Sequence, residues 1–186
     1  KTNWPFFRGQ DSHGIAGGTG YPTEWNAQTG KNISWKIEIP SKGKSSPVIW
    51  GDKIFITGAR EKICEVYCFD KTTGKILWTG SASDIPGEPA VLPKTDQEAG
   101  LAVSTAATNG KVVCAVFANG NLVCFDMAGK RKWAKNIGVP ESTYGYTSSL
   151  LIYKDLLLVQ FDSNVKISLM GIDLETRRER RTRCSR

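Results

Sequence analysis

One stretch of this chain is written more than once, and that repetition limits the fold more than any other feature. Cys68-Phe69-Asp70-Lys71-Thr72-Thr73-Gly74-Lys75-Ile76-Leu77-Trp78 returns as Cys124-Phe125-Asp126-Met127-Ala128-Gly129-Lys130-Arg131-Lys132-Trp133. A third copy opens at Gly171-Ile172-Asp173-Leu174-Glu175-Thr176, and a partial earlier one is visible in Thr29-Gly30-Lys31-Asn32-Ile33-Ser34-Trp35. Self-similarity with a period of about 50 residues marks a chain built from stacked supersecondary units.

The layout upstream of each copy is also shared. A short apolar run follows a Ser or Thr pair at Ser45-Ser46, Ser104-Thr105 and Ser148-Ser149. A turn at Gly51-Asp52, Asn109-Gly110 or Lys154-Asp155 comes next, and then two longer apolar runs. Each unit reads as four short strands separated by Gly, Asn or Asp turns, with no helical periodicity between them. One twisted four-stranded sheet cannot bury both faces alone, so neighbouring units must stack. The expected fold is all-β: a β-propeller of four-stranded antiparallel blades, here an incomplete fragment of about three blades from a ring of seven or eight.

The expected organisation follows. An aromatic and Gly-rich segment covers 1–22, and a stray outer strand at 23–44 closes the last blade of the ring. Blade 1 covers 45–80, blade 2 covers 103–136 and an incomplete blade 3 covers 147–176. Loops at 81–102 and 137–146 join them, and a basic tail fills 177–186. Asp70, Gly74, Trp78, Asp126, Gly129 and Trp133 are read as structural. The Asp accepts from amides of its own turn, the Gly supplies positive φ, and the Trp packs on the adjacent blade.

The remaining composition excludes more than it identifies. A single histidine, His13, rules out zinc sites built on paired histidines and two-histidine iron sites. No G-x-S-x-G elbow accompanies it, so a serine triad has no scaffold. No apolar run approaches the roughly 20 residues of a membrane-spanning helix, and no leader peptide is read in the opening residues. Most of the net charge of +7 belongs to residues 175–186, which hold six arginines and two glutamates. The domain as a whole therefore does not read as a nucleic-acid binder. Cysteine number is five. Cys64 and Cys68 share a strand face about 13 Å apart, beyond disulfide reach. A hairpin centred on Ala118-Asn119-Gly120-Asn121 is expected to place Cys114 opposite Phe125 and Cys124 opposite Ala115, with the two thiols on opposite sides of the sheet.

The motif Asp-x-x-Thr-Gly-Lys-x-x-Trp resembles the repeat of the quinoprotein-like, or PQQ-like, β-propellers. The opening Asn3-Trp4-Pro5-Phe6-Phe7-Arg8-Gly9-Gln10-Asp11-Ser12-His13-Gly14-Ile15 is similar to the start of exported bacterial members. The family so resembled includes quinone-dependent dehydrogenases and the propeller lipoprotein of outer-membrane assembly. Dehydrogenase members carry two adjacent cysteines beside the quinone, and this sequence has no Cys-Cys pair. No Asp aligns with their calcium-side catalytic residue.

The resemblance thus implies a non-catalytic, periplasmic or otherwise exported scaffold without cofactor. It would bind a protein or polymer partner through its inter-blade loops. Glu88, Asp96, Glu98, Glu141, Tyr144 and Tyr146 are the candidate contact residues. Missing blades are expected from the rest of a longer chain or from oligomerisation. The alternatives are the N-terminal part of a PQQ-dependent dehydrogenase holding PQQ with calcium, and a polybasic-tail binder of nucleic acid or anionic surfaces.

Overall fold

The computed structural model describes residues 3–95, 100–142 and 145–183, with backbone alone for 181–183. Twelve strands form three four-stranded antiparallel sheets among these residues, and no helix occurs there. Blade 1 is β1 (Val48–Trp50), β2 (Lys53–Arg60), β3 (Ile63–Asp70) and β4 (Ile76–Ser81). Blade 2 is β5 (Ala107–Thr108), β6 (Val112–Val116), β7 (Asn121–Asp126) and β8 (Arg131–Asn136). Blade 3 is β9 (Leu151–Tyr153), β10 (Leu156–Asp162), β11 (Ile167–Asp173) and β12 (Glu179–Arg183). Each sheet is a meander whose spatial order is its chain order. The chain is an incomplete all-β propeller of about three blades.

Burial alternates along the strands and assigns each face a neighbour. Val48, Phe55, Val66 and Cys68 of blade 1 pack with Val113, Ala115, Val123 and Phe125 of blade 2 in one core. The opposite face of blade 2, with Cys114, Val116, Leu122 and Cys124, packs with Leu157, Val159, Met170 and Ile172 of blade 3 in a second.

The repeated Asp-Gly-Trp residues build one device three times. Asp70 Oδ1 accepts the Thr72 and Thr73 amides and the Thr73 hydroxyl. Asp173 Oδ1 does the same with Glu175 and Thr176, and Asp126 Oδ1 accepts from Ala128 and Lys130. The residue after each Asp offers its carbonyl to an indole from the preceding unit. Trp35 Nε1 donates to Lys71 O (2.9 Å), Trp78 Nε1 to Met127 O (3.2 Å) and Trp133 Nε1 to Leu174 O (3.2 Å). The Trp35 and Trp78 rings lie so close over Gly74 and Gly129 that a Cβ there would sit 2.8 and 2.7 Å from ring carbons. A bulge at Leu77 in blade 1, and another at Lys132 in blade 2, resets the register beside each Trp.

Three features differ from the sequence reading. The segment expected as a basic tail at 177–186 supplies β12, which pairs with β11 from Ile172↔Glu179 to Ser168↔Arg183. Arg177 makes the turn possible by adopting φ 62°, the left-handed conformation held by Gly74 at 71° and Gly129 at 89°. Blade 3 therefore has its fourth strand, without the bulge.

The stray strand expected at 23–44 is not a strand. Within it only two isolated bridges form, Asn26–Lys31 and Lys42–Ala59. Half-buried Ile33, Trp35, Ile37 and Ile39 nevertheless alternate with exposed Ser34, Lys36, Glu38 and Pro40. The segment lies extended against blade 1, where the Ser41 hydroxyl hydrogen-bonds to the Tyr67 oxygen.

The third correction concerns β6 and β7. Phe117 N–H donates to Asn121 O and Gly120 N–H to Phe117 O, closing a three-residue loop with Gly120 at φ 83°. This shifts the register by one residue from the expected hairpin, so Cys114 faces Cys124, not Phe125. The two thiols lie on the same side of the sheet.

Candidate functional site on the connector face

The connections from β4 to β5 and from β8 to β9 gather at one end of the blades, beside the β2–β3 and β6–β7 turns. Three asparagines hold them there. Asn121 Nδ2 donates to Ala82 O in the first connector, and Asn136 Nδ2 donates to Asn119 O and to Asn121 Oδ1. Asn136 Oδ1 in turn accepts Gly138 N–H at the start of the second connector. Asn119 and Asn121 are fully buried, and a buried network with its partners in place is rigid. Ala118 joins the two connectors through its backbone, donating to Leu101 O and accepting from Tyr146 N.

The candidate contact residues behave unequally. Glu88 spends its carboxylate internally: Oε2 accepts the Asp84 and Ile85 amides, and Oε1 accepts Asn119 Nδ2. Tyr146 is 2% exposed, so it is not a loop-face residue. Its hydroxyl donates to Gln160 O and its ring packs 6.2 Å from Phe161, which ties the connector to blade 3. Burial pushes its phenol well above the ordinary value. Glu141 keeps an exposed side chain while its backbone pairs with Ser163 Oγ and Asn164 N–H. Asp96, Glu98 and Tyr144 lie outside the described residues.

A cleft at this end is lined by none of Glu88, Glu141 and Tyr146. It has a volume of about 750 Å³ and lies between the 38–43 segment, the β2–β3 turn and the first connector. Leu92 and Leu101 give it apolar surface, and Glu38, Lys42, Arg60 and Glu61 give it two carboxylates and two cations. Glu61 sits at φ 53° at the turn. Sequence reasoning missed this site because its charges come from a turn and an extended segment far apart in the chain. The signal available was the adjacent Arg60-Glu61 pair at a hairpin tip, a position where loops on a rigid scaffold carry contacts.

Beside the cleft, the Tyr67 hydroxyl donates to Glu65 Oε2 and accepts from the Ser41 hydroxyl. Burial first, and then the hydrogen bond to Glu65, push its phenol up to about 12. Tyr67 is therefore a neutral donor at any working pH and has no role as a base.

The described residues supply no donor set for the calcium of the dehydrogenase alternative. Among the described residues no three His, Cys, Asp or Glu side chains are placed to hold a metal ion. The sequence also has no adjacent cysteine pair.

Comparison with known proteins agrees with the geometry. The family model described as outer membrane protein assembly factor BamB matches residues 7–144. The chain belongs to this PQQ-like propeller family. BamB from Moraxella catarrhalis superposes with a TM-score of 0.58 at 18% identity, covering 87% of this chain and 46% of that one. A europium-containing methanol dehydrogenase superposes with a TM-score of 0.61, also at 18% identity, covering 84% of this chain and 28% of that one. The PQQ-like chain thus spans less than half the length of either structure. No curated protein matches it.

Proposed function

We propose that this chain is an arc of an exported, non-catalytic propeller scaffold that binds an extended segment of a protein partner in the connector-face cleft. The observation that carries the reading is the cleft itself, where Leu92 and Leu101 are flanked by Lys42, Arg60, Glu38 and Glu61. Apolar surface between charges of both signs suits a peptide whose residues alternate apolar and charged, because successive side chains of an extended chain point to opposite sides. The asparagine network supports it by holding the nearby connector in place before a ligand arrives, which lowers the ordering cost of binding. The role of the matching family, outer membrane protein assembly, supports both a polypeptide partner and a periplasmic location. Further blades, from a longer chain or a second copy, would cover Leu151, Leu158 and Leu169 on the open face of blade 3.

The test is titration of fluorescent synthetic peptides with alternating apolar and charged residues, of the kind a membrane β-strand presents. The expected result is saturable binding, weakened about tenfold by combined Lys42→Glu and Arg60→Glu, equivalent to about 1.4 kcal/mol. Absence of saturable binding, or equal affinity in the double variant, would overturn the reading.

A further inference from the structure

The hairpin of β6 and β7 brings two cysteines together in a way no other blade repeats. Phe117 N–H bonds to Asn121 O across the first rung of the hairpin. Hydrogen-bonded pairs alternate along an antiparallel ladder, so Ala115↔Val123 and Val113↔Phe125 are also hydrogen-bonded, and Cys114↔Cys124 is a non-hydrogen-bonded pair. Such pairs hold their Cα atoms about 4.5 Å apart with the side chains turned toward each other, inside the range of about 4.4–6.8 Å that a disulfide spans. At the matching positions blade 1 has Phe55 with Cys68, and blade 3 has Leu158 with Gly171. Only blade 2 can be bridged there.

We infer that Cys114 and Cys124 are a disulfide-forming pair, bridged by thiol–disulfide exchange before blade 3 packs onto blade 2. One thiolate attacks a sulfur of a low-molecular-weight disulfide, forming a mixed disulfide and releasing one thiol. The second thiolate then attacks the protein sulfur, forming the Cys114–Cys124 bond and releasing the other thiol. The protein loses two protons and two electrons, and the small disulfide is reduced to two thiols. The order of events follows from burial. Both residues are fully covered once blade 3 is in place, which shuts out the small disulfide, and burial pushes the Cys114 thiol well above its ordinary value.

The test is refolding of the reduced, denatured chain in a mixture of oxidised and reduced glutathione, followed by alkylation of free thiols and peptide mapping by mass spectrometry. The expected product has a linked Cys114–Cys124 peptide, with Cys64 and Cys68 alkylated. Its Tm should exceed that of the reduced protein by roughly 5–10 °C. The same glutathione mixture added to already folded, reduced protein should leave the pair open. Alkylation of both Cys114 and Cys124 after oxidative refolding would overturn the inference, as would a bridge joining other cysteines. Rapid bridging of the folded protein would overturn the proposed order. Cys64→Ala should keep the linked peptide. Because the mapping is decisive on the unsubstituted chain, it does not depend on whether Cys114→Ala or Cys124→Ala folds.

Discussion

Blades 2 and 3 share their strand order, the Asp turn between the last two strands and the docking of an indole from the preceding unit, yet they are held very differently. Leu122 and Leu169 occupy the same place in β7 and β11. Leu122 is covered by blade 3 and is 0% exposed, whereas Leu169 has nothing over it among the described residues and is 45% exposed. The turns differ as well. Blade 2 makes its two tight turns with Gly110 at φ 81° and Gly129 at φ 89°. Blade 3 makes them with Lys154 at φ 55° and Arg177 at φ 62°, where an L side chain is strained. A propeller blade thus draws its stability from its neighbours more than from its own ladder, and blade 3 combines poorer turns with one missing neighbour.

The largest expected effect comes from the leucine pair. Leu122→Ala should cost about 2–5 kcal/mol in denaturant unfolding, as expected for a large-to-small change in a closed core. Leu169→Ala should stay within about 1 kcal/mol, because the solvated site leaves no cavity. Equal losses would mean that another part of the assembly covers blade 3 in solution.

A smaller contrast, with opposite signs, tests the turns. Gly129→Ala should destabilise by about 1–3 kcal/mol, since both the positive φ and the Trp78 ring 2.7 Å away oppose a Cβ. Arg177→Gly should stabilise by up to about 1 kcal/mol by relieving left-handed strain. Calorimetric Tm values of the two variants read the difference directly.

A pH dependence also separates blade 1 from blade 3. Burial pushes Cys64, Cys68 and Tyr67, all on β3, up to about 12 from ordinary values of 9 and 10. A raised folded value favours the protonated form. The associated stability is therefore complete below about pH 9 and is lost as pH rises toward 12. Amide exchange measured across that window should loosen β3 before β11, which carries no cysteine or tyrosine.

Local chemistry made most of the architecture legible. Asp70, Gly74 and Trp78 act through their own turn and the next blade's turn, so their spacing alone identifies the unit. Legibility failed where a residue adopted an unusual conformation or where pairing was decided by one loop residue. Arg177 conceals the turn before β12, since no side-chain pattern announces a left-handed arginine. The Asn119-Gly120 loop shows a hairpin but not whether two or three residues close it, and that one residue reverses the placement of Cys114 relative to Cys124. The candidate site was less readable still. Tyr146 and Glu88 sit in polar loops, but the first is drawn inside by Gln160 and Phe161 and the second is consumed by backbone amides. The cleft depends on the 38–43 segment lying extended over blade 1, which is a tertiary fact.

The buried Asn119-Gly120 step also bears on how this protein ages. Asparagine followed by glycine is the sequence most prone to deamidation, in which the glycine nitrogen attacks the asparagine side chain. Here Gly120 N–H is engaged by Phe117 O, and the Asn119 amide is held by Glu88 and Asn121. The folded hairpin shields a bond that the unfolded chain would lose with time, and accumulated aspartate at position 119 would record how often the connector face has opened.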